Sequence, residues 1–154
     1  MHKLLFFALS IFLLSCSKGN LISESKKIVN SSWNENQAIT FKWNCKDSLT
    51  KYDLIISIKH TDKIPTQNIY VKCTSISPDS SFTEQIVSLE FLDNKGIPFG
   101  SCTFGNCKLN IVLASHIYFP KPGDYSLIIS PYSRIAEIPG IDEIGLSIEA
   151  SLDK

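Results

Sequence analysis

The stretch Ile39-Thr40-Phe41-Lys42-Trp43 places an apolar side chain at every second position. Successive side chains of a β-strand point to opposite faces, so this period of two predicts a strand with one buried face. The same alternation recurs further along the chain, in residues 54–58, 69–73, 87–91, 109–113, 125–129 and 144–148. Clusters of Gly, Pro, Asn and Asp mark turns between the later stretches, at residues 93–96, 105–106, 120–124 and 139–140. We therefore predict an all-β fold, a single antiparallel β-sandwich of about seven or eight strands with an Ig-like or jelly-roll-like architecture.

The composition is that of an ordinary globular domain without a strong charge. The chain has 154 residues, 44% of them apolar, and its 15 Lys and Arg residues balance its 15 Asp and Glu residues. A net charge of zero argues against a general nucleic-acid binder, which needs a basic face. The length predicts one domain with one core, and together with the motif content it argues against a large cofactor-dependent enzyme.

The first sixteen residues predict an exported, lipid-anchored protein. A short basic head precedes an apolar run at residues 4–14, and these 11 residues are fewer than the roughly 20 that a membrane-spanning helix needs. The run ends in Leu13-Leu14-Ser15-Cys16, which resembles the bacterial lipobox. We expect cleavage before Cys16, a diacylglycerol on its thiol and a fatty acid such as palmitate on its amine, because two or three chains anchor firmly. The alternative is a plain signal peptide with a Cys at this position by chance.

The residue after the lipobox Cys bears on the destination of the lipoprotein. Ser17 stands there instead of Asp, which by the enterobacterial sorting rule favours the outer membrane over retention in the inner membrane. The rule does not say which face of the outer membrane the protein occupies. We therefore expect a location in the cell envelope, with the outer membrane as the favoured site.

Three segments follow from these patterns. We expect residues 1–15 to be the lipoprotein signal peptide, and residues 16–37, rich in Ser, Asn, Lys and Glu, to be the lipidated Cys and a flexible tether. Trp33 is where we expect the chain first to dock on the core. Residues 38–154 then form the sandwich domain.

Four cysteines remain after the lipobox, and the sequence leaves their state open. A disulfide between Cys102 and Cys107 would stabilise the fold by about 2 kcal/mol on the chain-entropy model. If residues 105–106 form a two-residue hairpin turn, the two cysteines are not opposite each other and the disulfide fails. If residues 103–106 form a four-residue loop, the cysteines face each other and can bridge. Free buried thiols are the alternative for all four, and metal-ligand spacing is lacking for a zinc site that would include Cys45 and Cys73.

No catalytic constellation is apparent in the sequence. The histidines that remain after cleavage, His60 and His116, are isolated, and the neighbouring carboxylates of Asp142 and Glu143 point apart in a strand or turn. Nucleophile-elbow and phosphate-loop motifs are lacking. We therefore predict that the protein is not an enzyme and that it takes no cofactor, metal or small-molecule substrate.

Aromatic side chains are the other resource for recognition. Exposed rings can form a stacking platform for glycans or peptides, although we expect most of the aromatic residues to pack in the core or at the sandwich edge. The candidates for such a platform are Trp33, Trp43, Tyr70, Phe99, Tyr118, Phe119 and Tyr132.

Arg134 is the only arginine of the chain, and it lies between the last two alternating stretches. Its planar, permanently charged guanidinium suits a fixed bidentate contact better than a lysine does. We therefore predict that Arg134 contacts a partner. An unspecialised surface arginine is the alternative.

A series of short motifs runs in order along the mature chain. It comprises the lipobox Cys, a polar segment ending in a Trp, a Phe-x-aromatic strand, a Tyr-x-Leu-x-Ile-x-Ile strand, a Phe-Pro-x-x-Gly-x-Tyr corner and a Gly-containing C-terminal run. The residues concerned are Cys16, Trp33 and residues 41–43, 52–59, 68–71, 92–105, 119–125, 133–134, 138–141 and 144–146. In this order they resemble the gliding-motility lipoprotein GldH family of the Bacteroidetes. Lys59 and Ser133 depart from the Arg and Met usual in that family, and the Cys102 and Cys107 pair is not part of its pattern.

The resemblance implies a cell-envelope lipoprotein tied to gliding motility, whose machinery is coupled to type IX secretion, and it implies no catalytic residue. Our leading hypothesis is a non-enzymatic module that supports that machinery through protein–protein contacts. The lipid on Cys16 would hold it to the membrane, its partners would be motility or secretion proteins, and nucleic acid would not bind. The alternative is a glycan- or peptide-binding envelope lipoprotein outside motility, for which Tyr118 and Phe119 are the residues to test.

Overall fold

The computed structural model describes residues 19–152, which form eleven strands and one short 3-10 turn, Val29–Ser31. The predicted signal peptide and Cys16 lie outside the described residues. No helix in the described part of the chain is long and apolar enough to cross a membrane. The strands are β1 (Asn20–Lys27), β2 (Ser32–Asn34), β3 (Ile39–Cys45), β4 (Tyr52–Thr61), β5 (Asn68–Ile76), β6 (Phe82–Glu90), β7 (Ser101–Thr103), β8 (Asn106–Ile117), β9 (Gly123–Pro131), β10 (Glu137–Pro139) and β11 (Ile141–Ala150).

The strands form two main sheets and a small ribbon. One sheet has five strands in the order β1-β11-β4-β8-β7, and the other has four in the order β3-β9-β5-β6. β2 and β10 pair separately as a two-stranded ribbon, and all these pairings are antiparallel. The predicted all-β antiparallel sandwich is confirmed, because each alternating stretch of the sequence lies in, or at the end of, a strand of its own. The strands beyond the predicted seven or eight are short, since β2, β7 and β10 have three residues each.

The core lies between the two main sheets and is built from the inward faces of their strands. Ile56 on β4 and Phe41 on β3 are fully buried from opposite sides. His60 on β4 is also fully buried, with its Nδ1 atom 2.7 Å from the backbone oxygen of Thr61. Its ring packs edge-to-face with the ring of Phe91, which follows β6 of the other sheet, with ring centroids 5.0 Å apart. His60 therefore belongs to the packing between the sheets.

The flexible tether predicted for residues 16–37 is wrong for most of its described part. β1 pairs along β11, from Asn20 opposite Glu149 to Lys27 opposite Glu143, and Trp33 on β2 is completely buried. β1 escaped prediction because it is an edge strand, whose backbone pairing tolerates a polar sequence that lacks clean alternation. The first strand of the described part of the chain therefore begins at Asn20, four residues after Cys16.

The strand register gives the sandwich two distinct ends. At the near end, where β1 begins, Asn20 lies opposite Glu149, and Tyr52 lies opposite Ala150 and Ile117. The loops of residues 46–51, 77–81 and 118–122 are also at this end. The far end holds the opposite set of loops, at residues 62–67, 91–100, 104–105 and 132–136. The ten residues of β4 run from one end to the other, so the ends are about 30 Å apart at the usual rise of a strand.

Hydrogen bonds and an ion pair of polar side chains connect the loops of the near end. The Tyr125 hydroxyl donates to the backbone oxygen of Lys121 at 2.7 Å, in the manner of the tyrosine corners of β-sandwiches. Lys121 in turn forms an ion pair with Asp79 of the neighbouring loop. Asp53 accepts hydrogen bonds from the hydroxyl of Ser151 at 2.6 Å and from a backbone N–H of β8, and these bonds lower the pKa of Asp53. The carboxylate of Asp53 is thus partly buried and hydrogen-bonded, whereas the ion pair of Asp79 lies on the surface of the near end.

Candidate functional site

Arg134 lies at the far end, in the loop that joins β9 to β10, and its side chain is exposed. The hydroxyl of Ser133 steadies this loop by accepting a hydrogen bond from the backbone N–H of Ile135 at 3.1 Å. Within residues 19–152, the guanidinium forms no ion pair. Its charge is therefore not offset by a contact inside the described fold.

Arg134 borders an open groove of about 720 Å³ on the outer side of the four-stranded sheet. Tyr70 and Ile86 project into it from β5 and β6, while Tyr132 and Ile135 reach it from the Arg134 loop. The loop is joined to β5 directly, because the backbone N–H of Tyr132 donates to the backbone oxygen of Tyr70 at 2.8 Å. The four apolar side chains are about half exposed, between 47% and 56%. We call this surface the Arg134 groove.

The composition of the Arg134 groove fits recognition of a protein or peptide. Tyr and Arg are enriched among the residues that carry most of the binding energy at protein interfaces. A guanidinium can hold a carboxylate through two parallel hydrogen bonds, and half-exposed apolar side chains gain by leaving water. The groove is therefore suited to a segment that presents a carboxylate next to apolar side chains.

The aromatic residues considered for a glycan platform are partly buried in the core and partly exposed on separate surfaces of the structure. Phe119 is buried against Trp43 with ring centroids 5.6 Å apart, so of the two residues named for testing a glycan or peptide site only Tyr118 is exposed. Tyr70 and Tyr132 are instead the two that share one surface, because the β5–β9 pairing brings them together. The remaining two are the buried Trp33 and the exposed Phe99.

The β7–β8 hairpin at the far end carries a disulfide. Cys102 lies directly opposite Cys107, and the two sulfurs are bonded. The hairpin turn consists of Phe104 and Gly105 alone, with φ angles of 49° and 82°, as a type I′ turn requires. The alternative with a two-residue turn at residues 105–106 is therefore wrong. The strand register is that of the other alternative, with Cys102 opposite Cys107, but the turn has two residues instead of four. Phe104 is 99% exposed at the tip.

The other chemically reactive side chains have structural surroundings. Cys45 and Cys73 are buried free thiols, and burial raises the pKa of Cys73 to about 11. The exposed His116 lies beside Asp53, with its Nδ1 atom 3.9 Å from the carboxylate. Glu143 forms an ion pair with a lysine of β4 at 2.8 Å, and this contact lowers its pKa. Across residues 19–152, no group of three or more His, Cys, Asp and Glu side chains is placed to hold a metal ion.

Comparison with known proteins identifies a family and a relative that matches along most of its length. A model of the GldH lipoprotein family matches residues 20–148. The chain is 27% identical over 151 residues to a protein named gliding motility lipoprotein GldH from Flavobacterium johnsoniae, and the match covers 91% of each protein.

Two solved structures match most of this chain at low TM-scores. One is a mitogen from Yersinia pseudotuberculosis, with a TM-score of 0.37, 8% identity and coverage of 86% of this chain and 89% of that one. The other is VP2 of infectious bursal disease virus in a subviral particle, with a TM-score of 0.39 and 13% identity. That match covers 84% of this chain and 32% of VP2. At these scores the likeness does not bear on function.

Proposed function

The chain belongs to the GldH lipoprotein family, and on this premise we propose that it is a lipid-anchored protein of the cell envelope that works without catalysis. It supports the gliding machinery, or the type IX secretion system coupled to that machinery, by binding a protein partner. Support for the motility role comes from the relative in Flavobacterium johnsoniae, whose name states it and whose length the match covers almost completely.

The anchor in this proposal is the lipid on Cys16. Cleavage of residues 1–15 exposes Cys16 as the first residue of the mature protein, and the lipobox-like sequence before it supports acylation there. Ser17 favours the outer membrane as the destination. Residues 16–19 then connect the lipid to β1, which takes the place of the longer tether expected from the sequence.

The observation that carries the protein-binding part of the proposal is Arg134, which has no ion-pair partner among residues 19–152 and borders a half-exposed apolar groove. Desolvating a charge is costly unless an opposite charge meets it, so a partner with a carboxylate is the one that gains most from this site. The groove is at the far end, about 30 Å from the start of β1 by the rise of the strands. A partner can therefore reach it without competing with the membrane.

Cross-linking in native membranes, followed by mass spectrometry of the captured proteins, tests the proposal. We expect the full-length wild-type protein to capture gliding or type IX secretion components. Arg134→Ala should lower that capture about tenfold, which corresponds to a loss of about 1.4 kcal/mol of binding free energy. Arg134→Lys should lie between the two, because it keeps the charge and loses the bidentate geometry.

Lys95→Ala is the matched control, since it also removes one exposed positive charge at the far end but lies outside the groove. Both alanine variants should have wild-type thermal stability. Capture that is equal in Arg134→Ala and Lys95→Ala would remove the groove from the proposal. Capture of no motility or secretion component by the wild type would overturn the motility role.

A second candidate function is glycan or peptide binding outside motility, which the shared surface of Tyr70 and Tyr132 favours. Aromatic faces supply large, rigid contact area for apolar faces of ligands. On a glycan or peptide array, this function predicts binding that Tyr132→Ala abolishes and Tyr118→Ala leaves intact. An array without binding argues for the protein partner.

A further inference from the structure

We propose that the near end of the sandwich rests on the phospholipid surface in which the lipid of Cys16 is embedded. This inference deepens the proposed function and rests on it, because it requires lipidation at Cys16. Four residues lead from Cys16 to Asn20, where β1 begins, and four fully extended residues span at most about 14 Å. The start of β1 therefore cannot stand far from the bilayer.

The near end presents apolar side chains from four separate segments. Leu49 in the loop between β3 and β4 is 84% exposed, and Tyr118 after β8 and Phe82 at the start of β6 are exposed as well. Leu152, which follows β11, adds a fourth exposed apolar side chain at this end. Such side chains lose unfavourable contact with water when they enter the headgroup region of a bilayer.

The loop that carries Leu49 is fixed. The carboxylate of Asp47 accepts a hydrogen bond from the backbone N–H of Leu49 at 2.8 Å and another from the hydroxyl of Thr50. These bonds lower the pKa of Asp47. The fold thus holds Leu49 outward on an ordered loop, so little conformational entropy is lost when it contacts a surface.

Tyr118 and Lys51 form the kind of pair found at membrane interfaces. The Lys51 ammonium lies 5.9 Å from the centre of the Tyr118 ring. Tyr is enriched at the level of lipid headgroups, and a lysine can extend its ammonium towards water and phosphate while its methylene stem lies on apolar surface.

The charges of the near end favour an apolar contact over attraction to anionic lipid. Lysines and carboxylates are mixed in its loops and strand ends, and the carboxylates are no fewer than the lysines. The groups concerned are Lys46, Lys51, Lys121, Asp47, Asp53, Asp79, Asp124 and Glu149. A surface that is not basic gains little from a negative membrane potential. The contact should therefore form on neutral phosphatidylcholine and should change little with salt.

Because of the lipid anchor, even a weak attraction between the near end and the bilayer is sufficient for contact. Once the lipid of Cys16 is in the bilayer, contact between the near end and the same bilayer is an intramolecular event at high effective concentration. The near end is the part of the domain closest to the anchor, whereas the far end is about 30 Å further along the strands.

Fluorescence quenching by nitroxide-labelled lipid tests the inference in full-length, lipidated protein reconstituted in phosphatidylcholine vesicles. A small fluorophore is attached at Leu49→Cys in one sample and at Ile97→Cys, in a far-end loop, in the other. The native thiols do not interfere, because Cys16 is acylated, Cys102 and Cys107 are bonded, and Cys45 and Cys73 are buried. We expect quenching several-fold stronger at position 49 than at position 97.

Mass spectrometry of the N-terminal peptide reports the lipid independently of the fluorescence. Missing acyl chains on Cys16 would defeat the anchor of the proposed function, and the inference with it. Acylated protein without quenching at position 49, or with equal quenching at positions 49 and 97, overturns the inference alone.

A second pair of variants tests whether Leu49 itself makes the contact. With the fluorophore at Tyr118→Cys, Leu49→Asp should reduce quenching, because a carboxylate does not enter the bilayer interface readily. Ile97→Asp should leave that quenching unchanged. Equal quenching in both would show that Leu49 does not contribute.

Discussion

The near and far ends of the sandwich use similar side chains in opposite ways. At the near end, Asp53 accepts hydrogen bonds from a hydroxyl and from a backbone N–H, and the Tyr125 hydroxyl donates to a backbone oxygen. At the far end, Arg134 has no ion-pair partner within residues 19–152, and Tyr132 lies half exposed beside it. The difference teaches that residue type alone does not mark a binding site in this fold. What marks the site is a polar or aromatic group that the fold itself leaves without a partner.

The largest expected effect is on the unfolding free energy, and it distinguishes a buried from an exposed aromatic residue at the far end. Trp33 is completely buried, and its indole N–H donates to the backbone oxygen of Gln37 at 2.8 Å. Trp33→Ala should therefore cost about 4 kcal/mol of unfolding free energy. Tyr132→Ala, which removes a groove residue, should cost less than about 0.5 kcal/mol. Urea unfolding followed by circular dichroism measures the unfolding free energy of both variants. Equal losses of unfolding free energy would contradict the division between the buried core and the exposed binding surface.

The next effect concerns the disulfide of the far-end hairpin. Replacing Cys102 and Cys107 with Ser together should lower the unfolding free energy by about 2 kcal/mol, because the unfolded chain regains the freedom of the open loop. Reduction of the wild type with a thiol should produce the same loss, and the double variant should not respond to the reductant. A wild-type urea midpoint that does not move on reduction would show that the turn of Phe104 and Gly105 is held by pairing alone.

The smallest effect tests the closure of the near end. Tyr125→Phe removes the hydroxyl that bonds to the backbone oxygen of Lys121 and leaves the ring in the core, so we expect a loss of about 1 kcal/mol. Tyr132→Phe is the matched control at the far end and should leave the unfolding free energy unchanged. If the two substitutions lower the unfolding free energy equally, the hydroxyl of Tyr125 does not stabilise the near end more than the hydroxyl of Tyr132 stabilises the far end.

The strands were predictable from the sequence where one of their faces is buried. Burial imposes the period of two that is visible at Phe41 and Trp43. β1 was not predictable in the same way, because it is an edge strand with half-buried Leu21 and Ile22 followed by mostly exposed polar residues. Its place depends on backbone pairing with β11, which leaves little trace in residue type.

The candidate site was predictable only in part. Arg134 stood out as the single arginine, but its surroundings depend on which strands pair. Tyr70 and Tyr132 are far apart in sequence, and only the pairing of β5 with β9 makes them neighbours. Phe119 illustrates the opposite case, since its neighbour Tyr118 is exposed while Phe119 turns into the core. Whether an aromatic residue of a loop faces in or out is decided by tertiary packing.

The pairing of β1 with β11 also determines how the domain would carry a mechanical load. In the proposed function, the lipid on Cys16 would pull on β1 from the near end and a partner on the Arg134 groove would pull from the far end, so the tension would run along the strand axis. The hydrogen bonds of the β1–β11 ladder, from Asn20 opposite Glu149 to Lys27 opposite Glu143, lie across that axis. These hydrogen bonds would therefore be loaded together in shear and could not break one after another from one end of the ladder. With the proposed anchor at Cys16, this edge-strand pairing would let the domain transmit force along its strands as well as bind a partner.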